Sequence, residues 1–106
     1  MWRPKSSEKF PLISFAHGWH CGGPDIHNYD DLLTGLASAG YVVIGNLSAF
    51  QQYCVQESKD QIRTIQFAQT STHYASMIDW TKQVGILGHS MGGEATHNTA
   101  ANEAAC

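Results

Sequence analysis

Three short apolar runs constrain this chain most: residues 10–16 (Phe-Pro-Leu-Ile-Ser-Phe-Ala), 41–44 (Tyr-Val-Val-Ile) and 84–87 (Val-Gly-Ile-Leu). None alternates apolar with polar residues, the pattern of a strand with one wet face. Uninterrupted runs of this kind belong to strands covered on both faces of a parallel sheet. Parallel strands need crossovers, and helical patterns lie between the runs. After the first run, Tyr29, Leu32, Leu33 and Leu36 recur at the i, i+3, i+4, i+7 spacing of one helical face, with Asn28 placed to cap its start and Gly40 its end. Residues 57–70 and 72–80 read as helical pieces, the second with Tyr74, Met77 and Ile78 on one face. Residues 91–106, rich in Ala and Glu and free of proline, read as a last helix. The order β-α-β-α-β-α predicts an α/β fold, a three-layer sandwich with a short parallel sheet of about three strands and flanking helices. With 106 residues there is room for one core, so residues 10–106 read as a single domain behind a polar N-terminal extension, residues 1–9.

Composition removes several classes of function. Hydrophobic residues make up 42% of the chain, too many for an unfolded segment. Six Lys and Arg against nine Asp and Glu give a net charge of -3, and no basic stripe is present to track phosphates, so nucleic acid is not an expected partner. No apolar stretch approaches the roughly 18 residues of a membrane span, and the opening residues lack the apolar core of a signal peptide. Cys21, Cys54 and Cys106 are odd in number and widely spread, which indicates neither a disulfide framework nor a four-ligand zinc site and leaves the compartment open.

The strongest chemical signal is Gly88-His89-Ser90-Met91-Gly92, followed by Gly93, between the third apolar run and the last helix. This is the G-x-S-x-G spacing of a nucleophile elbow. The serine occupies a sharp, strained turn, and the glycines remove side chains that would collide with the neighbouring strand and helix. A serine opening a helix has the free N–H groups and the positive end of the helix dipole beside it, ready for the oxyanion formed when its oxygen attacks a carbonyl. Met91 would supply one backbone donor. The loop His17-Gly18-Trp19 after the first strand is the place for the second, given by the Trp19 N–H, with the indole as an apolar wall for substrate. The alternatives are a glycine-rich turn with an incidental serine and a surface loop whose tryptophan only packs.

Taken together, Pro11-Leu-Ile-Ser-Phe-Ala-His-Gly18, Leu36-Ala-Ser-Ala-Gly-Tyr-Val-Val-Ile44 and Val84-Gly-Ile-Leu-Gly-His-Ser-Met-Gly-Gly93 resemble the α/β-hydrolase superfamily. Within it, the chain is similar to the branch of chlorophyllases, bacterial cutinase-type polyester hydrolases and platelet-activating-factor acetylhydrolases. The resemblance covers most of residues 10–105. It implies a partial α/β-hydrolase fold and a carboxylic ester hydrolase needing no cofactor, with Ser90 as nucleophile, Met91 and Trp19 at the oxyanion-hole positions, and His17 bracing its loop. His89, at a variable position of the elbow, would pack or line the substrate site.

One departure from the family pattern matters. Its triad runs Ser, then Asp or Glu, then His. After Ser90 the chain offers only Glu94, Glu103 and His97, all on the presumed helix. His97 stands seven residues on, two turns or about 10 Å along the helix axis, beyond hydrogen-bond reach of the serine. The expectation is therefore half an active site, in a chain that breaks off after the nucleophile helix and is inactive alone. The alternative is a non-catalytic hydrolase-like fragment with a binding role or none.

Other groupings are weaker. His17, His20, Cys21, Asp25 and His27 crowd one loop, but their spacing matches no standard zinc pattern, and no metal is expected. Asp30 and Asp31 open a helix, where carboxylates favour the positive end of the dipole. Gln51, Gln52 and Tyr53 follow the second strand and could line a cleft.

Overall fold

The computed structural model describes residues 1–18, 26–46 and 54–101. Strand β1 (Leu12–Ala16) leads through a single 3-10 turn (Ile26–Tyr29) into helix α1 (Asp30–Ser38). Strand β2 (Val42–Gly45), helix α2 (Cys54–Thr70), a short helix α3 (Thr72–Ala75), strand β3 (Gly85–Gly88) and helix α4 (Met91–Ala101) follow. All three strands are parallel, in the order β2-β1-β3, so the expected α/β architecture is present.

The sheet has a core on each face because its strands are apolar at nearly every position, Ser14 of β1 being the buried polar exception. Leu12 and Val42 face one way with Ile44 and meet Ala68 of α2 and Ile78; Phe15 and Val43 face the other way and meet Leu33 of α1. Each large apolar side chain buried in this way stabilises the fold by about 1.5–3 kcal/mol. Helices α2 and α4 lie side by side on the first face, joined by a hydrogen bond of 2.8 Å between the Ser58 and Thr99 hydroxyls, while α1 covers the second. Helix, sheet and helix pair make the three layers. Trp2, within the polar extension, forms an antiparallel bridge to Val43 along the outer edge of β2.

Two local expectations are corrected. Asn28 lies inside the 3-10 turn, and the residue preceding α1 is Tyr29, which makes no side-chain cap. The far end conforms: Gly40 has φ 101°, a left-handed conformation that favours glycine, and its N–H closes the helix on the Ala37 carbonyl. The helix expected over 72–80 is only Thr72–Ala75. Its continuation is pre-empted by backbone pairing with the approach to β1, where the Phe10 N–H donates to the Met77 carbonyl at 3.3 Å and the Asp79 N–H to the Phe10 carbonyl at 2.9 Å. Ile78 consequently reaches the core from an extended bridge rather than a helix. Helix α2 starts three residues earlier than expected, at Cys54. Among the described residues no helix is long and apolar enough to cross a membrane.

Candidate active site

The loop after β1 leads to α1 on one face of the sheet, and the loop after β3 leads to α4 on the opposite face. Adjacent parallel strands whose connections diverge in this way leave a crevice at their carboxyl ends, the usual ligand position in an open α/β sheet. His17 and Gly18 follow the end of β1, and His89 and Ser90 follow the end of β3, its neighbour in the sheet.

Ser90 is the one residue other than glycine with positive φ among those described, at 57°. Such a conformation costs about 1–2 kcal/mol for a residue with a Cβ, and its surroundings impose it. The His89 N–H still donates to the Ala16 carbonyl at 3.2 Å, extending the β1-β3 ladder, yet the Glu94 N–H already donates to the Ser90 carbonyl at 3.1 Å as the first turn of α4. Strand therefore becomes helix across two residues, His89 and Ser90. Two glycines make that possible. A Cβ at Gly88 would overlap the Gly92 carbonyl, and a Cβ at Gly92 would overlap the carbonyl oxygens of Ala16 and His17. At Gly93 a Cβ would meet the Gly88 carbonyl oxygen at 3.5 Å, an ordinary contact. Ser90 is exposed, and Met91 occupies the first position of α4, where a backbone N–H has no acceptor within the helix.

The opposing loop is held from beneath. His17 is fully buried, and its Nδ1 donates to the Gly18 carbonyl at 2.7 Å, which braces the turn. Its Nε2 faces the Glu57 carboxylate at 3.8 Å, and the other Glu57 oxygen accepts a 2.9 Å hydrogen bond from the Asn46 side chain. Glu57 comes from α2 and Asn46 from the end of β2, so one buried carboxylate serves the loops of two strands. Gly18 approaches the elbow closely: a Cβ there would stand 3.1 Å from His89 Nδ1 and from the Tyr29 hydroxyl. That hydroxyl accepts from the Gly18 N–H at 2.9 Å and lies 3.1 Å from His89 Nδ1.

Of the residues singled out in the sequence, Ser90, Met91, His89, Gly88, Gly92, Gly93, His17 and Gly18 are thus gathered at the carboxyl ends of β1 and β3. Trp19 lies outside the described residues, as do His20, Cys21, Asp25, Gln51, Gln52 and Tyr53. His97 is exposed on α4, and among the described residues no three His, Cys, Asp or Glu side chains form a group able to hold a metal. Asp30 and Asp31 sit in the first turn of α1. A cavity of about 450 Å³ between β2 and α2, lined by Asn46, Arg63 and Phe67 among others, includes none of the elbow residues.

Sequence reasoning missed Tyr29, Glu57 and Gln61. Tyr29 read as one more apolar residue on a helical face, and the two polar residues gave no periodic signal of burial. The Gln61 amide donates to the Ser14 carbonyl at 3.2 Å, the Leu87 carbonyl at 3.3 Å and the Thr96 hydroxyl at 3.1 Å, fastening α2 to β1, β3 and α4. No protein-family model matches the chain, and no curated protein matches it.

Proposed function

We propose that these residues carry the nucleophile and oxyanion half of a serine hydrolase of the α/β-hydrolase type, acting on carboxylic esters. The observation that supports this reading is the backbone of Ser90, held at φ 57° between a parallel strand and a helix by glycines that no other residue could replace. A strained conformation persists only where the surrounding structure enforces it, and here it lifts a hydroxyl out at the start of a helix.

In this scheme the Ser90 Oγ attacks the ester carbonyl to form a tetrahedral intermediate. The developing oxyanion is held by the N–H of Met91 and, from the loop after β1, that of Trp19. Collapse expels the alcohol and leaves an acyl-enzyme, which water then hydrolyses. The proton from Ser90 needs an acceptor, and three histidines are otherwise engaged or badly placed. His17 is buried against Glu57, His89 is tied to Tyr29, and His97 is exposed on α4 two turns along the helix. We assign general base and orienting acid to residues other than these three histidines.

The test is labelling by a fluorophosphonate probe and hydrolysis of short-chain esters by the natural protein. Ser90→Ala should abolish both in the natural protein with the circular dichroism spectrum unchanged. Hydrolysis that survives Ser90→Ala would overturn the assignment. A natural protein that neither labels nor hydrolyses, yet is fully folded, would favour the second reading of a non-catalytic binding fragment, which the lack of a histidine positioned for Ser90 among the described residues supports.

A further inference from the structure

The segment before β1 is held in place by its backbone and its indole, not by its charges. The Trp2 N–H donates to the Val43 carbonyl at 2.9 Å, the Trp2 carbonyl accepts from the Val43 N–H at 2.7 Å, and the ring packs on the core of Phe15, Leu33 and Val43. Anchored in this way, the segment and α1 enclose a cavity of about 590 Å³, lined by Trp2, Arg3 and Lys5 and, from α1, by Thr34, Ala37 and Ser38. The chain has six Lys and Arg against nine Asp and Glu, yet two of the six meet at this cavity, and among the described residues no carboxylate lines it. Neither cation is paired with a carboxylate among those residues, whereas Arg63 lies 3.5 Å from Asp60. The acids of α1, Asp30 and Asp31, sit in its first turn instead.

We propose that this cavity binds a small organic anion, with a phosphate or carboxylate head carried on a flat apolar body. Arg3 offers a planar fork of N–H donors that matches two oxygens of such a head, and Lys5 adds a second positive charge. The Thr34 hydroxyl can donate a further hydrogen bond. The Ser38 hydroxyl already donates to the Thr34 carbonyl at 2.9 Å, so it offers the ligand only an acceptor. Ala37 and the half-buried Trp2 indole supply an apolar wall for the body of the ligand. In a chain of net charge -3, a concave site with two cations draws anions to one place on the surface. None of the elbow residues lines the cavity, so binding there does not depend on the chemistry at Ser90.

Titration of the natural protein with phenyl phosphate, followed by NMR, tests this. The backbone amides of Arg3, Lys5, Thr34 and Ser38 and the Arg3 Nε–H should shift together and saturate by about 10 mM, the range of a weak specific site. Arg3→Gln and Lys5→Gln alter exposed side chains and should leave the fold intact. Each should weaken binding about threefold, and the two together about tenfold or more. Inorganic phosphate, which has no apolar body, should bind about tenfold more weakly than phenyl phosphate, while Ser90→Ala should bind phenyl phosphate as the parent does. Shifts that do not saturate, or an affinity that the double substitution leaves unchanged, would overturn the proposal. Equal affinity for inorganic phosphate would overturn the role of the indole wall. Attachment to phosphatidylserine vesicles without saturable shifts from phenyl phosphate would also overturn it, in favour of a lipid surface.

Discussion

At Ser90 the cost of the left-handed backbone and the use made of it lie in the same residue. The conformation turns the chain from β3 into α4 and presents the hydroxyl, while the room for the turn comes from Gly88 and Gly92. Both were legible as glycines of a motif, but their separate necessity was not, because what a Cβ would strike belongs to other segments. Gly92 and Gly93 are adjacent and look alike in sequence. In the fold, a methyl group at the first would collide with the backbone carbonyls of Ala16, the last residue of β1, and of His17, while at the second it meets only the Gly88 carbonyl at ordinary contact distance. Gly92→Ala should therefore destabilise by about 3 kcal/mol, whereas Gly93→Ala should be neutral or stabilise by up to about 1 kcal/mol through its helix propensity. Urea unfolding midpoints of the two variants check this, and equal effects would contradict the close approach of elbow and loop.

At the scale of elements, the strands were read nearly where they lie, because an unbroken apolar run is a local property and marks a doubly covered strand wherever it occurs. Helix α1 was found from periodicity and its terminal glycine. The stretch after α3 was misread because Met77 and Ile78 fit a helical face as well as an extended bridge, and only pairing with Phe10 decides between them. Helix α2 shows the same limit in another form. Its weak periodicity conceals Glu57 and Gln61, two fully buried polar residues that face the sheet and loops instead of solvent. Gln61 reaches two strand carbonyls and one hydroxyl of α4. Gln61→Met keeps the length and shape and removes all three hydrogen bonds, which should cost about 2 kcal/mol. Gln61→Glu, aiming a carboxylate at those carbonyls, should cost more. Thermal unfolding of both variants, with exchange at the ends of β1 and β3 followed by NMR, tests whether this residue is the fastening.

For the whole molecule, one surface turn contributes to the response of stability to pH. The Asp79 carboxylate accepts from the Thr81 hydroxyl at 2.5 Å and from its backbone N–H at 3.0 Å, which lowers its pKa below the ordinary carboxylate value. A lowered folded-state pKa means that the folded chain favours the ionised form. The contribution is thus present at neutral pH and fades as pH falls through that lowered value. Asp79→Ala should lower the unfolding temperature slightly at neutral pH, and the gap from the parent should narrow as acid protonates the carboxylate. A gap that widens with acid would reverse the sign and refute the argument. The sequence by itself determined the class of fold and the order of strands and helices along the chain, because these depend on residue type and spacing over short stretches. Only the tertiary structure decided that β1 lies between β2 and β3, that Gly18 after β1 packs against His89 after β3, and that Tyr29 and Glu57 contact the residues there. Those facts arise from contacts between residues distant in the chain, whose hydrogen bonds form only once the sheet has brought their backbones together.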